Sequence, residues 1–246
     1  KKGEMIKLGS GDYEITATSP VIKDADWDLP IYSGTKEFKI VAGQVTPVTL
    51  NCELTNVKVT FVLSENFKKE LSTYYKSHEF DFIIGSTHIC NRKDPYYPEF
   101  FEGRSEDEAH HEYFEAVLES VKKLPYFDVY GHLDYVVRYG PTKNDNYTYL
   151  KHKDVFDKIL TSLLDQEKGI ELNTGGFHYG LGQPNPCIDI LKRYKELGGE
   201  IITIGSDAHT PDRIGYSFDK ASDILTECGF KYYTIFEGRV PEYIKL

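Results

Sequence analysis

Apolar and polar residues alternate in the first third of this chain of 246 residues. The alternation covers segments 13–17, 38–40, 48–52 and 57–61, and glycine or proline residues separate the segments. Because successive side chains of a strand point to opposite faces, this pattern is typical of short strands joined by turns. We therefore predict a small antiparallel β domain over residues 1–77.

From about residue 80 onward, helical periods lie between short apolar runs. Ser105, with Glu108 three residues later, forms a capping box that predicts a helix extending to Lys123. Apolar pairs repeat every four residues over 155–164 and predict a second helix. Further helices are predicted at 188–197 and 218–228, and strands at 80–88, 127–132, 169–173, 200–206 and 230–236. This alternation predicts an α/β fold for residues 78–246, with a parallel sheet or barrel and helices outside it.

Residue types that bind metals stand at the ends of three predicted strands. His88 ends the first strand, His132 ends the next, and Asp207 and His209 follow the strand at 200–206. An Asp-x-His pair taken alone is more often a hydrogen-bonded couple than a pair of ligands. Since the carboxyl ends of barrel strands lie at one rim, the three strand ends together favour a divalent-metal site.

Charge and composition argue against several classes of partner. The net charge is −10, and the acidic excess lies in residues 78–246, because residues 1–77 carry ten basic and ten acidic side chains. Nucleic acid and anionic membranes are therefore not expected as partners, and no transmembrane segment is predicted. The four cysteines lack zinc-finger spacing, and Cys90, two residues beyond His88, is interpreted as a buried thiol.

From about residue 80 to the end, the chain resembles the histidinol-phosphate phosphatases of the polymerase-and-histidinol-phosphatase (PHP) superfamily. The motifs that carry the resemblance are FIIGSTH at 82–88, GHLDY at 131–135 with RY at 138–139, ELNT at 171–174, the block 191–209 and the ending 232–246. The resemblance implies the C-terminal part of a distorted (β/α)₇ barrel. It also implies hydrolysis of a phosphomonoester, histidinol phosphate, with divalent metal ions (zinc, manganese or iron).

The resemblance implies a role for each residue at the predicted rim. His88 and His132 resemble ligands of one metal ion. Asp207 resembles a ligand of a neighbouring ion, and His209 a ligand of the third. Arg138 resembles a phosphate-binding arginine and, with Asp207, is a catalytic candidate. Without the resemblance, a surface salt bridge would be the preferred interpretation of Arg138.

Other polar residues are candidates for supporting roles. His178, in a loop after the strand at 169–173, is a candidate for contact with the substrate phosphate. Asp134 and Asn173 are candidates either for orienting the ligands or for capping the strand ends. Three more histidines are expected on solvated helix surfaces: His110, His111 and His152.

Part of the family's ligand set has no counterpart in this sequence. The family begins with a His-x-His strand end, two further histidines and a bridging glutamate, whereas no histidine precedes His78 here. We therefore expect incomplete metal occupancy and poor turnover.

The first third of the chain carries LGSGDY at 8–13, PIYSG at 30–34, CELTNVKV at 52–59 and FK at 67–68. Through these motifs, residues from 9 to about 74 resemble a domain of unknown function found in secreted or lipid-anchored surface proteins of gut bacteria. This second resemblance leaves the compartment open, since the phosphatase implies a cytoplasmic protein and the β domain a cell-surface one. It also leaves two alternatives to the hydrolase: a non-catalytic surface or binding protein, and a fusion of unrelated fragments.

Overall fold

The computed structural model describes residues 11–18, 32–41, 53–54 and 65–246. The chain divides into two compact units, Lys1–Val62 and Leu63–Leu246. Helix α1 (Glu65–Ser77) belongs to the second unit. The domain boundary at residues 77 and 78 stays a prediction.

The described part of the first unit is a three-stranded antiparallel sheet. Strand β1 (Gly11–Thr18) pairs with β2 (Tyr32–Ile40), and β2 pairs with β3 (Glu53–Leu54). Tyr13 and Phe38 lie opposite each other in the ladder, and their rings stack at 5.9 Å. The strands predicted at 48–52 and 57–61 lie outside the described residues.

The second unit alternates strands and helices. After α1 its elements are β4 (Ile84–Gly85), α2 (Glu106–Lys123), β5 (Val129–Tyr130), α3 (Lys153–Asp165), β6 (Gly169–Asn173), α4 (Gly175–His178), α5 (Ile188–Glu196), β7 (Ile202–Gly205), α6 (Ala221–Glu227), β8 (Tyr232–Glu237) and β9 (Val240–Lys245). Short 3₁₀ helices lie at Pro98–Phe100, Tyr135–Arg138, Tyr149–His152, Pro211–Arg213 and Phe218–Lys220.

Strands β4 to β7 form a parallel sheet in chain order, with helices in the connections. The predicted α/β class with a parallel sheet is therefore confirmed. Within the described residues this sheet has four strands. Its continuation into a distorted barrel stays a prediction.

The last predicted strand forms, but it does not continue the parallel pattern. Strand β8 pairs antiparallel with β9 in a separate two-stranded sheet. Gly238 and Arg239 between them have φ of 55° and 66°, the left-handed conformation that a two-residue hairpin loop requires. The prediction of a final parallel strand was therefore wrong, because a run of apolar residues does not identify its partner.

Helices α2 and α3 supply much of the core, as their periods predict. The Ser105 hydroxyl accepts from the Glu108 N–H, and the Glu108 carboxylate accepts from the Ser105 N–H, which completes the predicted capping box. The two helices contact each other through Phe114 and Phe156, whose ring centroids are 4.5 Å apart. The buried apolar faces comprise Ala109, Tyr113, Phe114, Val117, Leu118 and Val121 on α2, and Val155, Phe156, Ile159, Leu160 and Leu163 on α3.

Two histidines expected at the surface lie in this core. His110 is 1% exposed and His152 is 4% exposed, whereas His111 is exposed as predicted. His110 stands three and four residues before Tyr113 and Phe114, so it shares their face of α2. The prediction of solvent exposure was wrong for His110 and His152. A polar side chain at a core-facing position is buried when the apolar residues around it pack into the core.

The hairpin of β8 and β9 is hydrogen-bonded to residues at the amino ends of the parallel strands β4 and β5. Arg239 donates to Asp128, just before β5, with Nη2 2.8 Å from Oδ1. The Gly238 N–H donates to the Asp81 carboxylate at 3.0 Å, and the Asp128 carboxylate accepts from the Ile83 N–H at 2.8 Å. These polar contacts lie at the end of the sheet opposite the predicted rim.

Candidate functional site

The four parallel strands bring the predicted site residues to one rim. His88 follows the carboxyl end of β4 and His132 that of β5, while Asn173 ends β6 and Asp207 follows β7. Because neighbouring parallel strands end at the same edge of the sheet, residues separated by over a hundred positions become neighbours.

His88 and His132 lie side by side. Their ring centroids are 5.0 Å apart, and the Tyr135 ring lies 5.0 Å from each of them. Burial, reinforced by the charge of Arg138, lowers the pKa of His132 to about 3, and burial also lowers the pKa of His88. Both imidazoles are therefore uncharged near neutral pH, which is the form that binds a metal.

His132 carries an unsatisfied polar atom. Its side chain is buried, and its Nδ1 has no hydrogen-bond partner among the described residues. The residue also has a φ of 30°, outside the usual range for a side chain of this size. An orphaned imidazole nitrogen in an unusual backbone position fits a ligand role.

Asp207 is paired with Arg138. Arg138 Nη1 donates to Asp207 Oδ2 at 2.6 Å, and the arginine side chain is completely buried. Burial alone would raise the pKa of Asp207, but the hydrogen bond and charge of Arg138 hold it below its ordinary value. Arg138 is thus a buried cation beside a carboxylate, and the surface salt bridge considered from the sequence is wrong.

His209 lies beside Asp207 but faces solvent. Its Nδ1 is 2.8 Å from the Asp207 backbone oxygen and 4.0 Å from Asp207 Oδ1. The His209 side chain is 77% exposed. Its role as a ligand of a third metal ion stays a prediction.

Two asparagines accept hydrogen bonds from two further N–H groups of Arg138. Nε donates to Asn185 Oδ1 at 2.6 Å, and Nη2 donates to Asn173 Oδ1 at 3.3 Å. The guanidinium also lies over the Tyr179 ring, 4.7 Å from its centroid. The cation is therefore fixed in position by contacts on several sides, and Asn173 acts on it as an orienting residue.

Asn185 is the part of this network that sequence reasoning missed. Its backbone exchanges hydrogen bonds with Asn173 at 2.8 and 2.9 Å, and its Nδ2 donates to Asp134 Oδ1 at 2.6 Å. Asp134 also accepts from the Cys187 N–H at 2.8 Å. Asp134 thus orients Arg138 through Asn185. The only sequence signal was an asparagine between two prolines in a loop, which does not identify a partner 47 or 51 residues away.

Glu171 begins the ELNT motif, but the sequence predicts no role for it. It is buried, its Oε2 accepts from Asn173 Nδ2 at 2.9 Å, and burial raises its pKa. A Cβ added at Gly205 would meet Glu171 Oε1, and one added at Gly131 would lie 3.1 Å from Oε2. The glycines at these two strand ends leave space for a buried carboxylate at the rim.

His178 lies at the end of α4, outside the Arg138 network. Its side chain is exposed, and its ring is 5.3 Å from Tyr179 and 5.8 Å from Tyr216. Contact with a substrate phosphate stays a prediction for this residue. Cys90 is a buried free thiol whose pKa burial raises to about 11, as the sequence interpretation implies.

The donor set at the rim fits a divalent metal in its chemistry. Two neutral imidazoles and a carboxylate are ligands that zinc and manganese accept. The distances between the ligand atoms at the rim fit a metal ion less well, because no three of these atoms lie within 4.8 Å of one another. Across the described residues, that spacing is met by Asp107, His110 and His152.

Comparison with curated proteins identifies the family. The chain is 32% identical over 184 residues to a protein of Clostridium acetobutylicum named probable histidinol-phosphatase, and this match covers 74% of this chain and 70% of the relative. The chain belongs to the histidinol-phosphatase family. A histidinol-phosphatase of Lactococcus lactis is 34% identical over 173 residues, covering 70% of this chain and 64% of the relative. The chain spans about two-thirds of the length of these histidinol-phosphatases.

A solved histidinol-phosphatase shares the fold. The crystal structure of histidinol phosphate phosphatase from Lactococcus lactis, complexed with zinc, L-histidinol and phosphate, matches with a TM-score of 0.64 and 32% identity. The match covers 73% of this chain and 68% of that chain. The predicted resemblance is therefore confirmed at the level of sequence and of fold.

Residues 1–79 match a domain of unknown function, DUF4493. This agrees with the second resemblance and assigns no chemistry to the segment. None of the described helices has the length and apolar character needed to cross a membrane. The compartment stays a prediction.

Proposed function

We propose that this chain is a metal-dependent phosphomonoester hydrolase acting on histidinol phosphate. One observation carries the proposal: His88, His132, Arg138 and Asp207 come together at the carboxyl ends of adjacent parallel strands in a member of the histidinol-phosphatase family. The Lactococcus relative, solved with zinc, L-histidinol and phosphate, supports the same substrate class.

Each rim residue has a chemical task in this proposal. His88 and His132 offer uncharged imidazole nitrogens, and Asp207 offers an ionised carboxylate, as the ligands of divalent ions. Bound ions would lower the pKa of a water molecule and neutralise phosphate oxygens. Arg138 Nη1 and Nη2 each carry one N–H beyond the bonds to Asp207 and Asn173, and these donate to the substrate phosphate.

We further propose that metal occupancy is incomplete and turnover slow. The histidines and the bridging glutamate with which the family begins have no counterpart in this sequence, and no three of the rim ligand atoms lie within 4.8 Å of one another. Which ion the rim prefers among zinc, manganese and iron is part of the same experiment.

A non-catalytic surface or binding protein is the second candidate. The observation in its favour is that three N–H groups of Arg138 already donate to protein oxygens. A fusion of unrelated fragments would be a special case of this candidate.

Phosphate release from histidinol phosphate, measured with zinc, manganese or ferrous iron added to the full chain, tests the proposal. We expect slow release that is lost in His132→Gln and strongly reduced in Arg138→Lys, with far-UV circular dichroism unchanged. His111→Gln is the matched control, because His111 is exposed and outside the rim.

The outcomes separate the two candidates. Release by the wild type no faster than without protein, together with binding of inorganic phosphate that Arg138→Lys leaves unchanged, would favour the non-catalytic candidate. Release as fast as that of the Lactococcus relative, measured in parallel, would overturn incomplete occupancy and leave the hydrolase proposal intact.

A further inference from the structure

A second set of metal-binding residue types lies in the core between α2 and α3. Asp107 and His110 stand three residues apart near the start of α2, so their side chains share one face of the helix. His152 ends the 3₁₀ helix Tyr149–His152, directly before α3. One ligand atom from each of these three residues lies within 4.8 Å of the other two.

Both imidazoles are buried without partners. Neither nitrogen of His110 and neither nitrogen of His152 has a hydrogen-bond partner within the part of the chain that the structure describes. The two rings are 6.1 Å apart, and Phe114 and Tyr147 pack beside both of them. Four unsatisfied ring nitrogens in one apolar pocket are unusual, since buried polar atoms nearly always have a partner.

The carboxylate of Asp107 lies between the two buried histidines and solvent. The side chain of Asp107 is 47% exposed, and it pairs with Lys151 Nζ at 3.0 Å. Lys151 is itself half exposed and also donates to the Asn146 backbone oxygen at 2.6 Å. Any cation that shares Asp107 with the two histidines would have to compete with the ammonium of Lys151.

Gly140 packs closely against the His110 ring. A Cβ added at Gly140 would lie 3.2 Å from His110 Nε2 and would also overlap the Glu106 carboxylate. Glu106 is held by Thr142, whose N–H donates to it at 3.0 Å. The His110 ring thus lies beside the carboxylate of Glu106, which is held in place at the start of α2.

We infer that Asp107, His110 and His152 form a divalent-metal site, separate from the rim residues, that takes a zinc-class cation. Two imidazole nitrogens and one carboxylate oxygen match the ligand chemistry of zinc, with a water molecule completing four-coordination. A bound ion gives a partner to one nitrogen of each ring and joins the start of α2 to the start of α3.

The protonation state of the two rings agrees with this assignment. Burial lowers the pKa of His110 and of His152 to about 4, so both rings are uncharged at neutral pH and present lone pairs. No proton has to be displaced from either imidazole when a cation binds near pH 7.

Zinc binding by a variant that lacks two of the rim ligands, His132 and Asp207, tests the inference. In His132→Gln/Asp207→Asn, we expect the full chain to retain about one zinc ion per molecule after dialysis, measured by elemental analysis. The added change Asp107→Asn should weaken zinc binding at least about tenfold in competition with a chromophoric chelator. Cobalt in place of zinc should give the visible absorption of a four-coordinate ion, and His152→Gln should abolish it.

Two surface variants distinguish a metal site from a structural role. Lys151→Gln removes the competing ammonium, so zinc should bind more tightly than to the parent variant. His111→Gln changes a neighbouring exposed histidine and should leave the affinity unchanged. Both changes lie at the surface, and far-UV circular dichroism verifies that every variant is folded.

Retention of no zinc by the rim-deficient variant would overturn the inference, and so would zinc binding that Asp107→Asn and His152→Gln leave unchanged. Because none of these measurements uses phosphate release, their failure is distinct from failure of the proposed hydrolase.

Discussion

The Arg138 guanidinium donates a 2.6 Å hydrogen bond to the Asp207 carboxylate across 69 residues of sequence. The candidate phosphate-binding residue therefore fixes the orientation and charge of a candidate metal ligand. Arg138 is in turn held by Asn185, which is held by Asp134. The rim is thus a connected polar network, and a change in one member affects the others.

Removal of Arg138 should destabilise the second unit. In Arg138→Ala, Asn185 Oδ1 stays buried without its donor and Asp207 loses its cation. We expect the free energy of unfolding to fall by about 3 kcal/mol, as for other buried pairs that lose one partner. Arg138→Lys should recover less than half of this loss, because one ammonium does not reproduce the three directions of the guanidinium bonds.

Urea unfolding followed by far-UV circular dichroism measures this effect, since the helices that the structure describes lie in residues 65–246. Lys123→Ala is the control. It removes an ion pair with Glu119 on the surface of α2 and should cost less than about 0.5 kcal/mol. Equal stability of the Arg138→Ala and Lys123→Ala variants would contradict the importance of the network.

Local signals were sufficient for the helices but not for the network. Ser105 and Glu108 start α2 as predicted, because a capping box depends on residues only three positions apart. Asn185 was missed because its partners lie far away in sequence. The prediction for His110 was wrong for a related reason. Its residue type favoured an exposed position, but its place on the apolar face of α2 determines that it is buried.

The sheet shows the same limit of pattern reasoning. Strand β6 forms over the predicted residues 169–173, and it pairs in parallel as expected. Strand β8 also forms, but its partner is β9, which follows two loop residues later. Strand propensity is local, whereas the choice of partner depends on which loop conformation the intervening residues adopt.

Gly205→Ala should disturb the rim without altering any polar group. The added methyl group would meet the Glu171 carboxylate, which is buried and bonded to Asn173. We expect a loss of about 1–3 kcal/mol in unfolding free energy, typical of overpacking in a core, together with reduced phosphate release. Glu171→Asp shortens the opposing side chain, so the double variant should recover part of the stability. No recovery in the double variant would mean that the clash lies elsewhere.

Arg239→Ala should affect stability but not the site. Arg239 donates to Asp128 at the amino ends of the strands, away from the rim. We expect a loss of about 1–2 kcal/mol, because the arginine is partly exposed and the Ile83 N–H still satisfies the carboxylate. The rate of phosphate release per folded molecule should stay unchanged. A fall in that rate without loss of stability would show that the two ends of the sheet are coupled.

Acid should destabilise the metal-free protein well before its carboxylates titrate. Burial lowers the pKa of His132 to about 3, and the pKa of His110 and His152 to about 4. An unfolded histidine has a pKa of about 6.5, so the unfolded state binds these protons first as the pH falls. The stabilising contribution of the neutral rings is therefore complete above about pH 6.5 and is lost progressively toward pH 4.

The urea midpoint, measured in chelator between neutral pH and pH 4, checks this expectation. His110→Gln removes one of the titrating groups, so the free energy of unfolding should fall less steeply, by up to about 1.4 kcal/mol per pH unit. Lys122→Ala changes an exposed residue of the same helix and removes no histidine, so it should leave the slope as in the wild type. If His110→Gln instead kept the full wild-type slope, His110 would not be a neutral buried group, and its availability to a metal ion at pH 7 would have to be reconsidered as well.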